Sequence, residues 1–155
     1  MFIRAPSGRK RFNVLGALDA ITHELITVVN ESYINADSVC DLLLRISQQC
    51  TGVPITLVLD NARYQKCKKV RKVADSLQID LLYLPSYSPN LNLIERVWKF
   101  VKKNCLYSKY YSDFESFTES INDTLGALHS TYKCEMDSLL RLRFQTFQHV
   151  QSMAA

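Results

Sequence analysis

No stretch of this sequence approaches the roughly 18 consecutive apolar residues that a membrane-spanning helix needs, and charged residues make up 22% of it. A transmembrane reading is excluded, and no membrane partner is expected. The opening Met1-Phe2-Ile3-Arg4-Ala5-Pro6 lacks the charged lead and sustained apolar core of a secretion signal. The expected compartment is therefore the cytoplasm. There is no C-x-x-C pair: Cys40, Cys50, Cys67, Cys105 and Cys134 form an odd set, and His23, His129 and His149 are scattered rather than spaced as zinc ligands. The cysteines read as free thiols, which sets aside a zinc site and a cysteine–histidine nucleophile. Internal repeats, low-complexity tracts and interdomain linkers are also missing, so residues 1–155 are expected to form a single domain.

What is present is enough apolar material, 47% of 155 residues, for a real core. The net charge of +4 is mild, but its distribution is uneven. Arg4, Arg9, Lys10 and Arg11 crowd one end. Lys66, Lys68, Lys69, Arg71 and Lys72 crowd one segment, and Arg96, Lys99, Lys102 and Lys103 crowd another, while the acids gather in 31–41 and 113–137. Clustered cations of this kind point to a polyanionic partner.

Periodicity supplies the elements. Alternation predicts strands over 11–18 and 26–29, joined through 19–24 as a hairpin. Val39, Leu42, Leu43 and Ile46 recur at helical spacing from Asn35 or Asp37, and Thr51-Gly52 with Pro54 ends that helix. The run Ile55-Thr56-Leu57-Val58-Leu59 is apolar on both faces, as in a buried central strand. A basic helix over about 65–77 and a strand over 79–84 follow, an order that implies a parallel crossover. Asn92 is a good N-cap for a helix whose stripe is Ile94, Val97, Trp98 and Val101. Ser112 with Glu115 reads as a capping box before Phe114, Phe117, Ile121, Leu125 and Leu128. A closing helix is expected over 136 to about 148.

Two acids stand at informative places. Asp60 closes the apolar strand, at the carboxyl end where open α/β sheets collect ligands, and Glu95 opens the helix beyond the proline-flanked loop. Two carboxylates brought to one point can hold Mg²⁺ for phosphoryl transfer. Taken singly, each has a plainer role: Asp60 beside Asn61 as an Asx-type turn, and Glu95 as the distal member of a capping box with Asn92. The positive end of a helix keeps a carboxylate ionised, so the cap position also suits a metal ligand. Lys66, Lys68, Lys69 and Lys72 follow the Asp60 strand directly, and Lys99 and Lys102 lie one and two turns past Glu95. A charge run alone is usually a solvated face, but two beside a carboxylate site suit a phosphate backbone. Tyr87 is a candidate for substrate proximity, whereas Trp98 belongs to the apolar stripe.

The wording around the two acids, Leu59-Asp60-Asn61-Ala62-Arg63-Tyr64 and Leu84-Pro85-Ser86-Tyr87-Ser88-Pro89-Asn90-Leu91-Asn92-Leu93-Ile94-Glu95-Arg96-Val97-Trp98, resembles the catalytic core of DDE transposases from bacterial insertion sequences of the mariner superfamily. The resemblance covers residues 12–128. It implies an α/β, ribonuclease-H-like mixed sheet flanked by helices, lacking its first strand and carrying a C-terminal helical extension. It also implies Mg²⁺ (or Mn²⁺) held by Asp60 and Glu95, with Asn61 and Arg63 shaping the site. The implied activity is cleavage and strand transfer at transposon ends, with transposon-end and target DNA as partners and a nucleoid-associated bacterial setting.

A third acid is missing from the pattern. In the family a first catalytic Asp lies on a strand ahead of the hairpin. Asp19 falls in the hairpin connection instead, and Asp37 and Asp41 fall in the acidic start of a helix. The expectation is the C-terminal part of a transposase, completed by an upstream fragment or paired as a homodimer. Loss of the middle strand would leave two unpaired sheet edges, which invite association. The alternatives are a catalytically dead DNA- or partner-binding remnant, or another ribonuclease-H-like nuclease.

Overall fold

The computed structural model describes residues 2–4, 10–85 and 92–141. In chain order these form β1 (Phe2–Arg4), β2 (Arg11–Leu18), β3 (Leu25–Asn30), α1 (Ala36–Gln49), β4 (Ile55–Leu59), a 3₁₀ turn (Arg63–Lys66), α2 (Lys68–Ser76), β5 (Ile79–Tyr83), α3 (Ile94–Cys105), α4 (Phe114–Gly126) and α5 (Lys133–Leu139). The order matches the expectation with two differences. A three-residue strand, too short for periodicity to reveal, precedes the hairpin and pairs antiparallel with β2, which corrects the expectation of a sheet lacking its first strand. The basic segment begins as a 3₁₀ turn and becomes a helix only at Lys68.

The β2–β3 hairpin pairs Val14 with Val29 and Leu18 with Leu25. Asp19 closes it, its carboxylate accepting from the Ile21 amide at 2.7 Å and the Thr22 amide at 2.8 Å. These bonds, led by the Thr22 amide, hold the Asp19 carboxyl below its ordinary pKa. The early acid is thus committed to a turn. Helix α1 starts as expected, with the Asn35 side chain accepting from the amides of Asp37 at 2.9 Å and Ser38 at 3.1 Å.

Side-chain alternation makes β2 the middle layer of a sandwich. Phe12 and Val14 join Val97, Trp98 and Val101 of α3 and Phe117 and Ile121 of α4 in one core. Leu15 and Ala17 pack on the other core, built from Val39, Leu42, Leu43 and Ile46 of α1, Val70 and Ala74 of α2, and Ile79 of β5. Gly16 faces the first core at very close range. A Cβ there would meet Trp98 Cη2 at 2.8 Å and Ile94 Cδ1 at 3.3 Å, so the absence of a side chain is what lets α3 lie on the strand.

The described strands divide into two sheets, antiparallel β1-β2-β3 and parallel β4-β5, the latter registering Leu59 with Tyr83. Both sheets lie under the α1/α2 layer, since Val28 of β3, Ile55 and Leu57 of β4 and Ile79 and Leu81 of β5 share that core. The expectation of a β4 buried on both faces is corrected. Ile55, Leu57 and Leu59 turn toward the helices, whereas Thr56 is exposed and Val58 is 43% exposed, with Leu82 of β5 at 55%. The α1/α2 layer covers one face of this pair, and no described element closes over the other.

Two caps also differ from expectation. The N-cap of α4 is Asp113 rather than Ser112: its carboxylate accepts from the Ser116 amide at 2.8 Å and from the Ser112 hydroxyl at 2.8 Å. Ser112 therefore braces the cap instead of being it. Helix α5 begins three residues before the expected start, and the part of the closing helix expected beyond Arg141 lies outside the described residues. Arg96 anchors its end, donating from Nη1 to the carbonyls of Leu139 at 3.0 Å and Arg141 at 2.8 Å. All five cysteines are free thiols. Among the described residues no helix is long and apolar enough to cross a membrane.

Candidate active site

Asp60 is the first residue past β4 and is exposed. The chain turns sharply after it, with Asn61 at φ +25°, a region Asn tolerates better than most residues. The Asn61 side-chain amide donates to the Leu84 carbonyl, and the Leu84 amide donates to the Leu59 carbonyl at 2.8 Å. The exits of the two parallel strands are thereby tied together. Next along the chain, the Ala62 amide donates to Gln65 Oε1 at 3.2 Å, and the Tyr83 hydroxyl donates to the Gln65 carbonyl at 3.0 Å. Gln65 is buried within this network. Nothing in the sequence marked Gln65 or Tyr83, because a buried polar residue in a basic segment has no periodic signature.

Tyr64 is half-buried, and that burial, with the nearby negative charge of Asp60, pushes its phenol up. Tyr64 therefore keeps its proton at neutral pH and stands within electrostatic reach of the acid. Asn61 Oδ1 is buried with no partner among the described residues. A carboxylate and an amide oxygen on adjacent residues are hard donors, which fit Mg²⁺ or Mn²⁺ rather than a softer ion.

Glu95 lies in the first turn of α3 and is half-buried. The expected Asn92–Glu95 capping box does not form. The N-cap is Leu93, in a helical conformation and without a side-chain cap, and Asn92 contributes its carbonyl, which accepts from the Glu95 amide at 3.2 Å. The helix begins one residue too late for Asn92 to cap it. The Glu95 carboxylate is consequently not used by a cap, and packing of Ile94 and Trp98 against Gly16 sets its position.

The two acids thus project from elements that pack on different cores, Asp60 with the α1/α2 layer and Glu95 with the α3–α4 layer. Among the described residues no three His, Cys, Asp or Glu side chains gather as a metal-binding group. Tyr87 lies outside the described residues, in the segment 86–91 that leads to Glu95.

The predicted basic residues are on the surface. Arg63, Lys66, Lys68, Lys69 and Lys72 are exposed around the 3₁₀ turn and α2, whose buried side chains are Val70 and Ala74. Lys69 is ion-paired to Asp37 of α1, a contact unseen in the sequence and, between exposed partners, of little energy. Lys66 sits over the Tyr83 ring at 5.5 Å, close to the Asp60 network. Lys99 is exposed and Lys102 half-buried along α3. A separate cavity of about 510 Å³ at the hairpin tip, lined in part by His23, Gln49, His129 and Lys133, includes neither acid.

Residues 2–118 match the family profile described as DDE superfamily endonuclease. Among curated proteins, the uncharacterised protein y4pE/y4sA of Sinorhizobium fredii (strain NBRC 101917 / NGR234) is 38% identical over 64 residues, 41% of this chain and 45% of that protein. Among solved structures, the simian T-cell lymphotropic virus intasome in complex with the PP2A regulatory subunit B56 gamma gives a TM-score of 0.68 at 16% identity, covering 97% of this chain and 56% of that one. The catalytic core of BIV integrase gives 0.61 at 17% identity over 89% of this chain and 91% of its own. The catalytic domain of Mos1 transposase, solved with raltegravir and Mg, also gives 0.61 at 17%, over 96% and 82%. At these identities the likeness is one of fold, the ribonuclease-H-like α/β arrangement of integrase and transposase cores. This chain spans about half the length of the first relative in each comparison.

Proposed function

Because this chain belongs to the DDE superfamily endonuclease family, we propose that it is the C-terminal part of a bacterial insertion-sequence transposase of the mariner branch, forming one domain in its own right. The reaction is hydrolysis of DNA at the element's ends followed by attack of the freed 3′-hydroxyl on target DNA. The observation that carries this reading is the pair Asp60 and Glu95: two carboxylates, neither committed to a cap or an ion pair among the described residues, at the exit of β4 and the entry of α3.

Asp60 and Glu95 would hold Mg²⁺ or Mn²⁺, which when bound activates the attacking oxygen and stabilises the leaving one. The Asn61 turn fixes the direction of the Asp60 carboxylate, and protonated Tyr64 beside it can donate a hydrogen bond toward that acid or a phosphate. Arg63, Lys66, Lys68, Lys69, Lys72, Lys99 and Lys102 neutralise backbone phosphates, with Tyr87 near the substrate. No covalent protein intermediate is required; positioning and charge supply the rate. A further acid comes from a segment upstream in a longer polypeptide, or from a separate transposase fragment or a second copy. The setting is the bacterial cytoplasm and its nucleoid.

The test uses DNA bearing terminal inverted repeats and Mg²⁺. The 155-residue chain alone should bind this DNA without cutting it, with log affinity falling by about 0.9 per neutralised phosphate for each tenfold rise in salt. Joined to the segment encoded upstream, it should nick the ends, and Asp60→Asn or Glu95→Gln should abolish nicking. Cleavage that survives either substitution, or that prefers branched or RNA–DNA hybrid substrates, would overturn the reading.

A further inference from the structure

The connection between α3 and α4 carries side chains that neither the core nor the two acids explain. Tyr110 is 88% exposed and Tyr107 is 64% exposed, both unusual for rings of this size. The connection that presents them is well anchored. The intervening Tyr111 turns inward, its hydroxyl donating to the Cys105 carbonyl and pairing with the Ser120 hydroxyl at 2.8 Å, while its ring meets Phe117 edge-on at 5.6 Å. The Tyr107 amide donates to the Lys102 carbonyl at 3.2 Å.

Lysines flank these rings along the chain, with the acids Asp113 and Glu115 following at the start of α4. Lys103 is exposed in the last turn of α3, and Lys109 is exposed in the connection beyond it. Lys10, from a distant part of the sequence, lies with its ammonium 5.0 Å from the Phe114 ring centre. The acid in the connection, Asp113, is occupied by the N-cap of α4. Lys102 and Lys103 also complement the negative end of the α3 dipole. That role accounts for two lysines and leaves the two exposed rings without a reason.

We propose that Tyr107 and Tyr110 are a stacking platform for unpaired bases of single-stranded DNA, with Lys103, Lys109 and Lys10 holding its phosphates. Every base has a π-face, so such a platform is tolerant of sequence, and the clustered cations supply the backbone attraction. The proposal rests on the DNA reading above and extends it along α3. At 1.5 Å per residue, the last residue of α3, Cys105, lies about 15 Å along the helix axis from Glu95. That is about four stacked nucleotides at about 3.4 Å each, with Lys99 and Lys102 along the way. The platform would engage a strand opened near the reacting phosphate.

The test is fluorescence anisotropy at one fixed salt concentration, with a labelled 16-nucleotide thymidine oligomer and a labelled duplex as separate probes. Tyr107→Ala/Tyr110→Ala should weaken single-strand binding about tenfold or more and leave duplex binding unchanged. Tyr107→Phe/Tyr110→Phe should bind both probes as the wild type does, since phenyl rings still stack. Both sites are exposed, and the emission of Trp98 verifies that each variant keeps its core. The proposal is overturned if the alanine pair binds the single strand as tightly as the wild type, or loses both probes equally. A wild type that binds duplex alone overturns the platform and spares the DNA reading, whereas one that binds neither probe overturns both.

Discussion

Asp60 and Glu95 are held by different means. Around Asp60 the chain is fixed by polar bonds: Asn61 to Leu84, Leu84 to Leu59, Ala62 to Gln65 and Tyr83 to Gln65. Around Glu95 the start of α3 has no side-chain cap, and the helix is placed by Ile94 and Trp98 lying against Gly16 and by Arg96 bonded to the end of α5. One acid is positioned by hydrogen bonds that tie its turn to the exit of β5. The other is positioned by shape, through packing that reaches across the sheet. Substitutions near the two should therefore fail in different ways.

The strongest test of this contrast neutralises each acid in the completed, cleaving protein. Asp60→Asn and Glu95→Gln should each reduce Mg²⁺-dependent nicking by about a hundredfold or more, because several kcal/mol of charge stabilisation are lost. Both should leave the unfolding midpoint in denaturant unchanged, since neither carboxylate supports a cap or a described ion pair. A matching loss of stability in Glu95→Gln would show that the acid is structural after all.

Gly16→Ala comes next. A methyl within 2.8 Å of Trp98 must displace the ring or the helix, at a cost of about 1–3 kcal/mol. Trp98 is the single tryptophan in the chain, so a shift in its emission reports the disturbance on the Glu95 side directly. Unchanged emission with full stability would mean that α3 is not seated by this contact.

On the Asp60 side, Asn61→Ala removes the bond to the Leu84 carbonyl and puts an alanine at a positive φ, and should destabilise by about 1–3 kcal/mol. Asn61→Gly relieves the backbone strain and should recover part of that loss. Equal effects for the two would assign the whole cost to the side-chain bond.

The smallest expected effect concerns acid sensitivity. The Ser116 amide, with the Ser112 and Ser116 hydroxyls, holds the Asp113 carboxyl below its ordinary value. Its folded pKa is thus lower than the unfolded one, so its contribution is complete above about pH 3.9 and is lost as pH falls through the folded value. Unfolding midpoints followed downward from pH 5 should fall less steeply in Asp113→Asn, which keeps a capping oxygen without the charge.

Much of the fold could be read from the chain because its signals are periodic. Phe12 and Val14, Val39, Leu42, Leu43 and Ile46, and Val97, Trp98 and Val101 all occupy the cores their spacing implies. Asp60 and Glu95 also stand where the sequence put them, at a strand exit and in a first helical turn. Illegible features depended on neighbours rather than spacing. Apolar residues on both faces of β4 implied burial on both, but Val58 is open because burial depends on what packs above it. Asn92 and Ser112 had the right chemistry for caps, yet each helix starts one residue later than they require. The Lys69–Asp37 pair joins separate helices and leaves no local trace. Gly16 did carry a signal, since a lone glycine in a strand often marks close approach, though its partner could not be named.

The division of the described strands into two ladders under one helix layer has a dynamic consequence. No described backbone hydrogen bond runs from β4 to the other sheet. The separation between the two halves therefore rests on α1 and α2 acting as a common backing plate, which is a softer restraint than a continuous ladder. Amide protons of β4 and β5 should exchange with deuterium through partial openings that leave β2 and β3 protected, and any ligand gripping both halves should slow that exchange in β4 and β5 more than elsewhere.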